Sequence, residues 1–165
     1  MKVVIFSDTH DCLVNMDRAV ELVKERASEG HLIHCGDMCA PLTLKHLMDI
    51  WSGDIHYCFG NVDGDRVSTL KVHEGRPDVY SHGATLGSLD IGGRSIAFQH
   101  FPEVALRLAE SGAYDAVFYG HTHLKHSEYI GDTLLANPGN ICGIKHPPSF
   151  AIYDTDSNSL EHIDI

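Results

Sequence analysis

Lys2-Val3-Val4-Ile5-Phe6-Ser7-Asp8-Thr9-His10 sets the reading of the whole chain. After one lysine it is apolar without a break to Phe6. A strand with one wet face would alternate, so an unbroken run predicts a strand covered on both faces. The run gives way to a polar loop, Ser7 to Asp11. Leu13, Met16, Val20, Val23 and Ala27 then recur at helical spacing, with Asp17, Arg18, Glu21, Lys24 and Glu25 between them. Gly30 is expected to close that helix. The pattern repeats downstream. His31–His34 reads as a second strand, Gly36-Asp37 as a loop, and Pro41 as the first turn of a helix with Leu44, Leu47, Met48 and Trp51 on its stripe. Ile55–Phe59 reads as a third strand, ending at Gly60-Asn61. Strand, loop, helix in repetition is the sequence form of a parallel sheet with helices on its faces.

Residues 65–80 show no firm period. Ser88–Ile91 and Arg94–Gln99 flank Gly92-Gly93, which predicts a hairpin. A short helix is expected over Pro102–Glu110 and a strand over Asp115–Tyr119. The tail has strand-like runs at 126–130, 133–136 and 149–153, with turns at Gly131-Asp132 and Pro138-Gly139 and a last strand after Asn158. There are no repeats and no linker, and 165 residues fit one domain, 1–165.

The bulk numbers exclude some functions. Hydrophobic residues make up 43% of the chain, which argues against disorder. A net charge of -11 argues against broad capture of nucleic acid. No apolar run is long enough to cross a bilayer, and Asp8 and His10 interrupt what could be a signal sequence. Five cysteines, an odd number, suggest reduced thiols in a cytoplasm. Cys35 and Cys39 have no second thiol pair to complete a zinc site, and are expected to be buried small hydrophobes.

The strand ends carry the chemistry. Ser7-Asp8-Thr9-His10, Gly36-Asp37, Gly60-Asn61, Gln99-His100 and Tyr119-Gly120-His121-Thr122-His123 each follow an apolar run. In a parallel sheet, ligands bind beyond the carboxyl ends of strands, so these loops should meet at one edge. If residues 121–123 stay extended, the two imidazoles point the same way. That pair alone fits either a metal or packed histidines. Singly, Asp8 and Asp37 could cap helices and Asn61 could serve a turn. Together the set of two Asp, one Asn and four His suits divalent Zn, Mn, Fe or Ni, without the thiolates of a structural zinc site.

In order and spacing, D-x-H at 8–10, G-D at 36–37, G-N at 60–61, His100 and G-H-x-H at 120–123 resemble the calcineurin-like metallophosphoesterases, and the small size resembles their compact, single-domain YfcE-type branch. The resemblance implies an α/β fold, a four-layer α/β/β/α sandwich of two facing sheets. It implies two divalent metal ions (Mn, Ni, Zn or Fe). Asp8, His10 and His123 would hold one ion, Asn61, His100 and His121 the other, and Asp37 would bridge them. The expected activity is phosphodiesterase hydrolysis of small phosphodiesters, by in-line attack of a hydroxide shared between the metals, with Asp8, Asp37, Asn61 and His100 as the catalytic set. It also implies homodimers or homotetramers. Two departures stand out: Val62 replaces the histidine that larger relatives use for the leaving group, and Phe101-Pro102 follow His100 where the family commonly has glycine. Asp63 and His146 are the remaining candidates for a general acid. Two other readings are a non-catalytic Vps29-like protein-interaction scaffold and a nuclease. Neither explains the full ligand set and the acidic charge as well.

Overall fold

The structure is a computed structural model, described here for residues 1–27 and 30–165. Its first half alternates as expected: β1 (Lys2–Phe6), α1 (Leu13–Arg26), β2 (His31–His34), α2 (Pro41–Ile50) and β3 (Asp54–Tyr57). Then come α3 (Arg66–Val72), β4 (Val79–Ser81), β5 (Gly87–Ile91), β6 (Arg94–Phe98), α4 (Pro102–Glu110), β7 (Ala116–Phe118), β8 (Lys125–Ile130), β9 (Thr133–Pro138), β10 (Ser149–Asp154) and β11 (Ser159–Asp164).

Two mixed sheets result. One has the order β11-β10-β1-β2-β3-β4, and the other β5-β6-β7-β9-β8. β1 to β4 are mutually parallel, and so are β6, β7 and β9. The unbroken run of β1 is explained by its two neighbours. Val4 and Phe6 pack with Met16, Val20 and Val23 of α1 and Leu44 and Leu47 of α2. Val3 and Ile5 point the other way, into a core shared with Ile96, Phe98, Phe118 and Leu134 of the second sheet. On that sheet's outer face, Ala97, Val117 and Leu135 meet Ala105 and Ala109 of α4. The layers are therefore helix, sheet, sheet, helix, the predicted four-layer sandwich. Burying apolar side chains yields roughly 25 cal/mol per Å², so the three packed layers between the sheets and helices supply the main drive to fold.

Several boundaries differ from the sequence reading. Gly30 does not close α1; the helix stops at Arg26 with Ala27 extended and its N–H on the Val23 carbonyl. Gly30 instead accepts a bond from the Asp54 N–H at 2.8 Å. β3 ends at Tyr57, two residues early, because Cys58 and Phe59 already lead into the site loop. Residues 65–80 contain α3 and β4. Thr69 is the buried residue of α3, while Val67 and Leu70 are exposed, so no amphipathic period exists to read. Asp65 starts α3 as an N-cap, accepting the Ser68 N–H. At the hairpin, Gly92 and Gly93 both stand at positive φ, as a two-residue turn between twisted strands requires.

Candidate metal centre

The carboxyl ends of β1, β2, β3, β6 and β7 come out on one edge, and all seven predicted residues lie just past them. The backbone there is unusual. Asp8, His10, Asp37, His121 and His123 all have φ between 43° and 68°. Non-glycine residues rarely adopt such angles, and strain of this kind concentrates at functional sites. It also corrects one expectation. Residues 121–123 are not extended, so their imidazoles do not share a direction. Each turns to a different partner.

Asp8 is the centre of the first group. Its Oδ2 accepts from the Ser7 hydroxyl at 2.6 Å and from the His121 N–H at 3.0 Å. That leaves Oδ1 buried with no hydrogen-bond partner. His123 Nε2 stands 3.2 Å from it and His10 Nε2 3.8 Å. His10 Nε2 is likewise buried without a partner. Burial opposes a charge on Asp8, but His10, His123 and Ser7 outweigh it and hold the carboxyl well below its usual range. The same Asp8 contact raises His123.

The second group gathers on Asn61. Its Oδ1 lies 3.0 Å from His100 Nε2 and 2.9 Å from His121 Nδ1, and those nitrogens are 3.3 Å apart. His100 is buried, with Nδ1 2.9 Å from the Cys35 carbonyl. Donation to that carbonyl puts the ring proton on Nδ1 and leaves the Nε2 lone pair facing the site. So Phe101-Pro102 do not turn His100 away; Phe101 is the N-cap residue of α4 and rests its ring 5.2 Å from that of His121.

Asp37 links the groups: its Oδ2 is 3.8 Å from His10 Nε2 and 3.2 Å from His100 Nε2. Its Oδ1 accepts the Val62 N–H at 2.9 Å. Burial again works against the charge, and His100 and the Val62 N–H overcome it, so Asp37 sits below its usual range. His100 is disfavoured as a cation by burial yet raised by Asp37. Both carboxylates thus draw positive charge into the pocket.

The supporting residues were mostly invisible in sequence. His34, fully buried, accepts from the Gly36 N–H at Nδ1 and meets the Thr9 hydroxyl at 2.7 Å through Nε2, tying two site loops together. Burial lowers it to about 4, so it stays neutral. Asp63 accepts three backbone N–H groups, from Asp37 (2.9 Å), Cys39 (2.7 Å) and Gly60 (2.6 Å). Asn137 and Asn140 hold the Gly120 and His123 carbonyls. Neither Asp8 nor Asp37 caps a helix; the N–H of Ala40 bonds to Asp11 instead. Cys35 is a buried hydrophobe as expected, but Cys39 is only partly buried and its thiol lies 3.6 Å from His10 Nδ1. Cys142 similarly lies 3.8 Å from His123 Nδ1. A signal for Cys39 was its place two residues after Asp37, whereas Asn137, Asn140 and Cys142 lie far along the chain from any predicted ligand. Two glycines are explained by contact. A Cβ on Gly60 would lie 2.1 Å from Asp37 Oδ1, and one on Gly120 would lie 2.0 Å from Ser7 Oγ.

These residues fit divalent ions. Asp8, His10 and Asp37, and again Asp37, His100 and His121, each present ligand atoms within 4.8 Å of one another. Bonds of ~2.0–2.2 Å put neighbouring donors ~3–3.5 Å apart, which is the spacing found in the Asn61 group. Two buried, unpartnered donors facing each other are costly unless a cation satisfies them.

Comparison with known proteins shows the family and the fold. A family model described as the calcineurin-like phosphoesterase superfamily domain matches residues 1–158. The phosphodiesterase MJ0936 of Methanocaldococcus jannaschii is 32% identical over 168 aligned positions, covering 99% of this chain and 98% of that protein. The solved structure of an archaeal phosphodiesterase superposes with a TM-score of 0.89 at 29% identity, over 100% of both chains. A zinc complex of Vps29 from Entamoeba histolytica superposes with a TM-score of 0.68 at 18% identity, over 99% of both chains, and shares the fold.

Proposed function

The chain belongs to the calcineurin-like phosphoesterase superfamily, and we propose that it is a metal-dependent phosphodiesterase acting on small phosphodiesters at the centre described above. Asp8, His10 and His123 would hold one divalent ion, and Asn61, His100 and His121 a second, with Asp37 between them. The observation that carries this reading is the position of Asp37 Oδ2, within 3.8 Å of His10 Nε2 and 3.2 Å of His100 Nε2. When bound, such ions act as Lewis acids that lower the pKa of water and hold phosphate oxygens. Zinc, manganese, iron and nickel all suit these ligands.

The protein's own part is to aim and to hold. Ser7 and the His121 N–H fix Asp8 so that one oxygen faces the pocket. The Cys35 carbonyl fixes the tautomer of His100. Phe101 and the exposed Val62 give the substrate side apolar surface without a proton donor. Asp63 cannot supply one, since both its oxygens are engaged by backbone N–H groups. A diester with a single negative charge and an apolar leaving group suits this surface better than a monoester dianion. The net charge of -11 favours small substrates over DNA or RNA. Among the described residues no helix is long and apolar enough to cross a membrane; with five free cysteines, a reducing cytoplasm is the compartment we propose.

The test is Asp37→Ala, assayed by elemental analysis beside turnover of an aryl phosphodiester. Loss of the metal bound at this centre and of turnover, with the fold kept, is the expected result. Wild-type rates in this variant would refute the shared-carboxylate reading. A scaffold would show neither metal-dependent turnover nor its loss.

A further inference from the structure

A second cluster of donors lies at the other end of the same sheet. His31 opens β2 and Asp54 opens β3, and the two are register partners. His56 sits two residues further along β3, so it shares a face with Asp54. These are the amino ends of the strands, whereas the centre above lies past their carboxyl ends. His31 to His34 alone is about 10 Å of strand.

One ligand atom from each of His31, Asp54 and His56 lies within 4.8 Å of the others. His31 Nδ1 is 3.4 Å from Asp54 Oδ2 but makes no hydrogen bond, and its atom is buried. His56 is 92% buried by its 8% relative exposure, and its Nε2 also has no partner. Its ring is held on two sides. Tyr80 stacks on it at 4.7 Å with planes 10° apart. His82 Nε2 lies 3.4 Å from its Nδ1. If His82 accepts the Nδ1 proton, the Nε2 lone pair is free, which is how ligating histidines are usually oriented. Burial, then His82 and His31, push His56 down to about 4, so the ring is neutral and able to bind. An unpartnered buried nitrogen is costly, and no described residue hydrogen-bonds His56 Nε2.

We propose that His31, Asp54 and His56 form an additional cation site, separate from the phosphodiesterase centre, that takes Zn²⁺. Two imidazoles and one carboxylate are a borderline ligand set that zinc accepts at ~2.0–2.2 Å. Drawing donors from within 4.8 Å to the ~3.3 Å of a tetrahedral edge needs only side-chain rotation. His31 and Asp54 can provide it, with side chains 28% and 38% exposed. That exposure leaves the fourth position to water. The ion would clip β2 to β3 at the edge farthest from the chemistry, a structural role.

The experiment measures zinc per chain after dialysis against buffered zinc, for the full-length wild type, His31→Gln, Asp54→Ala, Asp37→Ala and the Asp37→Ala/His31→Gln pair. His31→Gln and Asp54→Ala should each lose one zinc per chain and keep diester turnover. Asp37→Ala should retain a zinc that raises its Tm, and the paired variant should lose both that ion and the rise. Each zinc-free variant is compared with its zinc-free parent to show that the fold is kept. Equal zinc in wild type, His31→Gln and Asp54→Ala overturns the proposal. Zinc loss accompanied by loss of turnover also overturns it, by assigning the ion to the centre of catalysis.

Discussion

Asp63 offers the sharpest test of how the centre is built, because its carboxylate touches only backbone. Oδ2 accepts from the Asp37 and Gly60 N–H groups and Oδ1 from that of Cys39. Asp63 is 7% exposed, so water replaces little of this. Asp63→Ala strands three donors at about 1–3 kcal/mol each, or about 3–6 kcal/mol once some access to water is allowed. Against a total of about 5–15 kcal/mol, that is a large share. Asp63→Asn is milder. Its one carbonyl oxygen can serve the Asp37 and Gly60 N–H groups, but its amide then faces the Cys39 N–H, one mismatch of about 1–3 kcal/mol. Both variants loosen Asp37, whose φ of 58° is held partly by this bond. Urea unfolding should show the midpoint falling in the order wild type, Asn, Ala, at constant m-value. Metal affinity should fall in the same order. An Asp63→Ala protein with less than about 1 kcal/mol of lost stability and full metal content would refute the reasoning. If Asp63→Asn instead keeps stability and metal but loses kcat, Asp63 is a proton donor.

Three further outcomes are expected. His100→Ala should weaken one bound ion and spare the other, seen as two-step metal release in a chelator titration; simultaneous loss of both would mean that Asp37 cannot hold the groups apart. Gly60→Ala would place a methyl 2.1 Å from Asp37 Oδ1, so turnover should drop ~10²-fold or more, while Gly64→Ala, with nothing within 4 Å, should be neutral. Across diesters of graded leaving-group pKa, rates should depend steeply on acidity, because neither Val62 nor Asp63 can contribute the ~10²–10⁴-fold of a general acid; a flat plot would reveal one, with His146 the first to replace.

The sequence by itself determined the strand, loop, helix order of the first half and the candidate ligands, while the four layers were implied by the family resemblance. Runs such as residues 3–6 are covered on both sides whatever their neighbours, and the motifs at 8–10, 36–37, 60–61, 100 and 120–123 fall at strand ends. Such signals are local: period, turn chemistry and residue type within a few positions. It could not determine that His121 and His123 turn apart, since that rests on φ values of 68° and 62°. Those angles are tolerated because Asn137 and Asn140 hold the loop through bonds to residues 17 positions earlier. His34 looked like a strand residue and Asp63 like a candidate general acid, and their bonds to the site loops formed only when β1, β2 and β3 met. α3 left no pattern because Val67 and Leu70 face solvent. The pairing of His31 with Asp54 is a matter of sheet register, 23 positions apart. Contacts between distant segments depend on how the whole chain packs, so only the tertiary structure decides them.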